Sequence, residues 1–400
     1  MVAIHVALCW ILKDRVKEGY SDFAIFYTAG TILHQGLGNK LYDYQTQWNV
    51  QRSFAPNVAI RQGPLPYNHP PFEALLFAPL AHFPYFTAFI VWDAFNLGVL
   101  LVLALLLREY LPGEHRLAMA ILVLIGFFPI CVTLMEGQDS ILLLLLYVLA
   151  FLSLKHNAKF MTGAFLGLGL FKFHLVLPLV AVLALRRQGR VLCGFVVAAV
   201  GLIASSITAI GWAATLDYPQ YLWALNRSRA MGVIVPGDMP NLRGLLDIFG
   251  GRFPTYVDVT IGLVSTVLIL TAVNRWRVLS PQLISKNRER ALDLAFSFTL
   301  VVTLMTSYHV YVYDTGLLIL PIFLIARSLH EFNDLPPTVR TLLVVAIAVL
   351  FFTPLWIVLW FHFNQLNLMS FAMLLFGAGI FGAISAIRKE TTRHAPVATV

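Results

Sequence analysis

The chain has 400 residues, of which 59% are hydrophobic and only 12% charged, with a mean hydropathy of +0.78. A surface of that composition faces lipid, so the soluble-enzyme classes are set aside first. The net charge of +8 could suggest nucleic acid, but the basic residues lie in short clusters between long apolar runs, which is how membrane proteins fix their orientation; no nucleic-acid partner is expected. Cys9, Cys131 and Cys193 lie in apolar surroundings without CxxC spacing, which points to neither a disulfide framework nor a thiolate metal site.

In chain order, Met1–Leu12 is apolar but short for a span and meets the charged run Lys13, Asp14, Arg15, Lys17, Glu18. It reads as a shortened first crossing, since no basic residue precedes it and no small-x-small site follows, as a cleaved signal peptide would need. Residues 13–84 form a first external segment. It has amphipathic stretches at Phe23–Leu33 and Tyr42–Phe54, proline punctuation at Pro64, Pro66, Pro70 and Pro71, and Phe72–Phe83 at the interface. Apolar runs that reach or approach the length of a span follow near 85–107, 117–135, 139–154, 191–213, 255–273, 291–307, 311–327, 339–360 and 367–387.

The loops at 108–116, 155–159, 186–190 and 274–290 and the tail after Ile387 carry the Lys and Arg residues, whereas 136–138, 308–310 and 361–366 carry none. By the charge-bias rule the first group is cytoplasmic and the second external, which leaves residues 391–400 as a short cytoplasmic tail. A single span over 161–185 would put Lys155 and Arg186 on opposite sides. Two short limbs, Met161–Lys172 and Phe173–Leu185, returning to one face keep every basic loop inside, and set Lys172 and His174 at a tip that must be buried in protein. A second external segment, 214–254, follows Trp212. It holds the aromatics Tyr218, Tyr221 and Trp223 and the cations Arg227, Arg229, Arg243 and Arg252, which suit an amphiphile with an anionic head. The fold class expected is an all-α polytopic membrane domain over residues 1–390, with about 10–12 transmembrane helices including a broken or re-entrant pair, and external amphipathic helices.

Four groups of residues carry chemical possibilities. Asp22 can serve as a general base for a hydroxyl, with Tyr27 about one turn on, or it can merely cap the helix that starts at Phe23. Lys172, in the most apolar part of the chain beside His174, needs an anion such as a lipid phosphate unless it snorkels to one face. Ser307–Asp314 places His309, Tyr313 and Asp314 together, either as interfacial anchors or lining a site; with one histidine present, zinc is not expected there. Glu136-Gly-Gln-Asp139 is a corner where Gln138 can read a sugar hydroxyl and Asp139 can cap a helix. Asp93, Asn96 and Glu73 should face protein or a cavity. No cytoplasmic loop is large enough for a nucleotide and no phosphate loop in strand–helix context is present, which disfavours a nucleotide-sugar donor and ATP hydrolysis.

Ser21–Gly30, Leu41-Tyr42, Tyr67-Asn-His-Pro-Pro-Phe72, Ala78–Leu80, Gly137-Gln138, Gly163–Pro178 with Lys172, Pro240-Asn-Leu-Arg-Gly244 and Ser307–Asp314 occur in an order that resembles glycosyltransferase family 87. These are polyprenol-phosphate-mannose-dependent, mannosyltransferase-like proteins of GT-C architecture, once described as a domain of unknown function. The amino end departs from the family, whose members have a full first span. The resemblance implies a cell-membrane mannosyltransferase of glycolipid biosynthesis with Asp22 as catalytic base. It implies a polyprenyl-phosphate mannose donor held through Lys172 and Arg243, and a pocket lined by Tyr27, His69, Gln138, His174, Asn241, Tyr308, His309 and Asp314. Transfer would invert the anomeric centre, on the external face of a bacterial inner membrane, to a lipid or glycan acceptor. A monomer without a cofactor is expected; no metal ligands are assigned, and the residues leave metal dependence open. The alternatives are a transporter or flippase of a lipid-linked saccharide, and a structural scaffold in which Lys172 pairs with Asp93 or Glu136.

Overall fold

The computed structural model of the protein describes residues 1–56, 64–227, 235–250, 254–279, 285–332 and 334–393, with side chains undescribed at 226–227, 248–250, 254, 285–286 and 388–393. Arg227, Arg229, Arg252 and the tail cations therefore lie outside the described residues or side chains. Every regular element described is a helix, as expected where backbone groups have no water to pair with. The amino-terminal part comprises α1 (Val2–Lys17), α2 (Phe23–His34), α3 (Tyr44–Phe54) and α4 (Pro71–Phe77). The bundle continues with α5 (Tyr85–Leu107), α6 (Arg116–Ile125), α7 (Phe128–Glu136), α8 (Ser140–Lys155), α9 (Lys159–Leu168), α10 (Phe173–Leu185) and α11 (Gly189–Ile210). After α12 (Trp212–Arg227) and α13 (Leu242–Gly250) come α14 (Pro254–Arg275), α15 (Ser285–Thr306), α16 (Ile319–Glu331), α17 (Pro337–Phe351), α18 (Thr353–Val358) and α19 (Met369–Arg393).

Six of the described helical runs are long and apolar enough to cross a bilayer, or eight if each of two bent pairs counts as one span. This is fewer than the ten to twelve expected from apolar runs. Among the differences, α8 has 16 residues, about 24 Å of rise, and α15 carries Glu289, Arg290 and Asp293 in its first turns. The two bends, 63° between α6 and α7 and 53° after α17, follow from proline chemistry. Pro129 and Pro354 have no N–H to offer the carbonyls four residues earlier, those of Ile125 and Leu350. Both carbonyls find side-chain donors instead. His5 Nδ1 lies 2.9 Å from Ile125 O, and Trp356 Nε1 donates to Leu350 O at 3.1 Å. His5 Nε2 also lies 3.0 Å from Thr353 Oγ1, so one imidazole ties the two bends together.

Residues 159–185 form 27 consecutive residues that length and composition alone would allow as one span. Packing shows two limbs. A Cβ on Gly163 would meet Val191 O, one on Gly194 would meet Phe160 O, and one on Gly167 would lie 2.6 Å from Ala198 Cβ. Helices α9 and α11 thus run side by side in the same direction, with their first turns adjacent. The chain between them must return through α10 to the face where α9 began. The 3-10 turn Gly169–Lys172 is the tip, seated against Leu143 of α8; Ser307 Oγ donates to His174 O at 2.9 Å. At 10 and 13 residues, the limbs rise about 15 and 20 Å, too little to cross.

Helix α2 departs from the amphipathic expectation. Nine of its twelve residues are buried, because Phe23 and Phe26 pack on Phe77 of α4 while Phe23 also meets Tyr85 and Phe89 of α5. The packing fixes the residue just before it, Asp22. By contrast α14 has only 6% of its apolar window buried and offers its surface to lipid.

The glycine contacts give a direct test. Gly163→Val should lower the stability of the detergent-purified protein by about 1–3 kcal/mol or more, as overpacking against a backbone does, read as a fall in melting midpoint. Gly201→Ala, where nothing lies within 4 Å of the added carbon, should leave the midpoint unchanged or slightly raised. Equal midpoints for the two variants would contradict the parallel packing of α9 and α11.

Candidate active site

The corner after α7 turns at Gly137, which holds φ +62°, a conformation that suits glycine. A Cβ there would lie 2.7 Å from Phe23 Cβ, and Trp92 Nε1 donates to the Gly137 carbonyl at 3.0 Å. The corner is thereby pressed against the start of α2. Asp22 N donates to Glu136 Oε2 at 3.0 Å, and Gln138 Nε2 donates to Asp22 Oδ2 at 2.8 Å. The Asp22 side chain makes no capping hydrogen bond to α2. Of the two readings of Asp22, the helix cap is the one that the geometry does not support.

Gln138 also faces Lys172, whose Nζ donates to Gln138 Oε1 at 3.3 Å. Lys172 is 2% exposed and points into the protein, so it does not snorkel. Its Nζ lies 2.7 Å from Asp314 Oδ1, 2.9 Å from Asp139 Oδ1 and 2.7 Å from Ser140 Oγ, with the Tyr313 ring centroid at 4.8 Å. These partners differ from both the phosphate and the Asp93 or Glu136 pairings weighed from sequence. An ammonium has three donors, and here two carboxylates and a hydroxyl take them, the longer 3.3 Å approach to Gln138 Oε1 sharing one of these N–H groups. Lys172 thus clamps the corner, the tip and the Asp314 turn together, and the expected role as a phosphate ligand would require a donor phosphate to displace one of these partners. Asp314 is held from its other oxygen, which accepts from Tyr311 N at 3.0 Å. Asp139 makes no capping hydrogen bond to α8. Burial works most strongly against its charge, but Lys172, the Glu73 hydrogen bond and His69 together hold the carboxyl below its ordinary range.

The other residues expected at the site fall into three groups. His174 and His309 meet ring to ring at 5.8 Å, and Tyr311 packs on His309 at 4.7 Å. Burial lowers the His309 imidazole to about 4, against the pull of Asp314. Asn241 Nδ2 donates to Ser307 O at 2.9 Å and its Oδ1 accepts from Gly244 N at 2.9 Å, so it binds the first turn of α13 to the His309 loop. Arg243, one turn position further on, stacks over Tyr308, 4.2 Å from the ring centroid; Tyr308 is 50% exposed. The buried Nη1 of Arg243 has no hydrogen-bond partner among the described residues. This guanidinium, with a donor to spare, is better placed than Lys172 to meet an anion.

Tyr27 does not join the site. Its hydroxyl donates to Phe83 O at 2.8 Å and its ring packs on Phe54 and Tyr85, because five residues along a helix turn the side chain well away from Asp22. His69 sits deeper, 2.7 Å from Glu73 Oε2 through Nδ1, and the pair lies against Asp139. Burial lowers the His69 imidazole to about 4; burial, with Asp139 beside it, pushes the Glu73 carboxyl well up. Asp139 and Ser140 are the functional residues that sequence reading undervalued. Their signal was a carboxylate and a hydroxyl adjacent at a corner without Lys or Arg, where an intramembrane lysine needs partners.

The family model of glycosyltransferase family 87 matches residues 67–307. That stretch holds His69, Gln138, Lys172, His174, Asn241 and Arg243, while Asp22, His309 and Asp314 lie outside it. No curated protein and no solved structure matches the chain.

Two measurements follow from this geometry. Lys172→Met strands two buried carboxylates and should cost about 3–5 kcal/mol, read as a large drop in melting midpoint; adding Asp139→Asn and Asp314→Asn should recover much of it. A midpoint unmoved by Lys172→Met would contradict the clamp. For His309, the folded imidazole titrates near 4 against an ordinary value of 6.5, so between those values the unfolded chain binds a proton that the folded one does not. Stability should therefore fall as pH drops from 6.5 toward 4, and His309→Asn should flatten that slope.

Proposed function

Because the chain belongs to glycosyltransferase family 87, it is a membrane glycosyltransferase, and we propose that it moves a hexose, mannose being the expected sugar, from a polyprenyl phosphate to an acceptor hydroxyl. The acceptor is a lipid or glycan, and the reaction takes place on the external, periplasmic face. The observation that carries this reading is the hydrogen-bonded sequence Asp22–Gln138–Lys172. It holds a carboxylate in fixed orientation at the end of the bundle remote from the basic loops, with the partly unsatisfied Arg243 on the neighbouring connection.

In this reading the acceptor oxygen attacks the anomeric carbon from the face opposite the phosphate, and the bond between that carbon and the phosphate oxygen breaks. Asp22 takes the proton from the acceptor. The electron pair leaves with the phosphate, whose added charge Arg243 meets. A lipid phosphate is a good enough leaving group that no separate acid is required. A β-linked donor then gives an α-linked product. Lys172 acts at one remove: through Gln138 it fixes the rotamer of the base, a positioning role. His309 and His174, neutral or nearly so in their buried setting, offer hydrogen bonds to sugar hydroxyls rather than charge.

The test uses the full chain in liposomes with labelled polyprenyl phosphomannose and candidate lipid acceptors. Asp22→Asn should lower product formation by about 10²–10⁴-fold with donor binding retained, and Arg243→Ala should chiefly raise the KM for donor. Full transfer by Asp22→Asn would contradict the assignment of the base. Leaflet exchange of the donor without any product, insensitive to Asp22→Asn, would instead favour a flippase.

A further inference from the structure

Beside the Lys172 clamp, three side chains of ligand type converge from two segments of the chain. His69 precedes α4, Glu73 lies in its first turn, and Asp139 follows α7. One ligand atom from each falls within 4.8 Å of the others, and His69 Nδ1 and Glu73 Oε2 are 2.7 Å apart. Donors bound to one metal at about 2.0–2.2 Å lie roughly 3 Å apart when adjacent and about 4 Å when opposite, so the grouping is slightly wider than a coordination shell and a small contraction would close it around an ion.

Charge and hydrogen bonding both call for a cation there. Glu73 is 3% exposed and Asp139 0%. Apart from the contacts with His69 Nδ1 and Lys172 Nζ, these carboxyls meet each other, in a hydrogen bond that needs a proton on Glu73; as carboxylates their four oxygens have no further hydrogen-bond donor among the described residues. Buried carboxylates without partners are costly. Lys172, already shared with Asp314, supplies one positive charge against Asp139 and Asp314, and burial with Asp139 beside it keeps the proton on Glu73; a divalent ion would displace that proton and offset the carboxylates. The segment that carries His69 is also fixed in advance. Tyr42 Oη donates to His69 O at 2.9 Å, Tyr67 N donates to Gln47 Oε1 at 3.0 Å, and Tyr67 Oη donates to Pro70 O at 3.0 Å. The His69 ring packs edge-on against Phe26 at 4.9 Å. Such outer support is what a ligand imidazole requires.

We infer that His69, Glu73 and Asp139 form a binding site for one divalent transition-metal ion. An imidazole nitrogen with two carboxylates suits Mn²⁺ or Zn²⁺ better than Ca²⁺ or Mg²⁺, which prefer all-oxygen shells. Asp139 belongs to both the ion and the clamp, so the ion offsets the carboxylates and stiffens the corner that presents Gln138 to Asp22. The site differs from the Ser307–Asp314 cluster, where a single histidine argued against zinc. It stands independently of the sugar-transfer reading.

The test needs neither donor nor acceptor. The full chain, purified in detergent, is stripped with EDTA, dialysed and titrated with Mn²⁺ while free Mn²⁺ is followed by electron paramagnetic resonance, then with Zn²⁺ by competition. The expected result is one ion per chain, a higher melting midpoint with metal, and affinity lowered at least ~10-fold in Glu73→Gln and His69→Gln. No stoichiometric binding of either metal by the native chain would overturn the inference, and so would binding that both variants retain in full. In that case the buried carboxyls share a proton instead. Should Glu73→Gln fail to fold, His69→Gln and the native stoichiometry decide the matter.

Discussion

A single ammonium group, buried where water cannot reach it, organises this protein. An unpaired lysine at 2% exposure would be untenable in an apolar bundle, and Lys172 is tolerated because Asp139, Asp314 and Ser140 arrive from two other segments to receive its donors. Those partners cannot move independently. The tip between α9 and α10, the corner between α7 and α8, and the turn before α16 are locked to one another. Gln138, on the same corner, transmits the lock to Asp22. Preorganisation of this kind, a charged group fixed by its own network before substrate arrives, is the usual source of electrostatic advantage in a site.

The lock requires the tip to reach the corner and the Asp314 turn and the chain then to double back. The glycines of α9 and α11 provide that geometry by allowing the two helices to run in contact, and α10 then carries the chain back. The same economy appears at the two bends, where proline frees a carbonyl and a distant side chain, His5 or Trp356, satisfies it. In a medium without water each irregularity must be answered by a named donor, and the bundle answers them with residues far away in sequence.

That remoteness explains what could and could not be read beforehand. The positions of the basic residues sufficed to argue that 161–185 returns to its own side, since charge bias acts through local composition. Lys172 stood out because lysine is rare in such surroundings. Its partners did not, because a carboxylate before a helix looks the same whether it caps that helix or crosses the bundle to a lysine, and Asp139 was weighed as a cap. Asp22, before α2, poses the same ambiguity. Tyr27, near Asp22 in sequence, points elsewhere because direction on a helix follows its turn and not distance along the chain. The His69–Glu73–Asp139 grouping was invisible for a different reason: its members come from two segments whose contact depends on Phe23 and Phe26 packing beneath them. The family resemblance was legible from ordered short motifs, and the match over residues 67–307 agrees with it.

In the proposed reaction the lysine serves architecture and the arginine meets the substrate. Cryo-electron microscopy of the chain in lipid nanodiscs with a non-transferable polyprenyl phosphomannose analogue addresses that division directly. The account predicts phosphate density against the Arg243 guanidinium, the anomeric carbon turned toward Asp22, and Lys172 still bound to Asp139 and Asp314. Phosphate density on Lys172 with those ion pairs broken, or a sugar bound out of reach of Asp22, would contradict it.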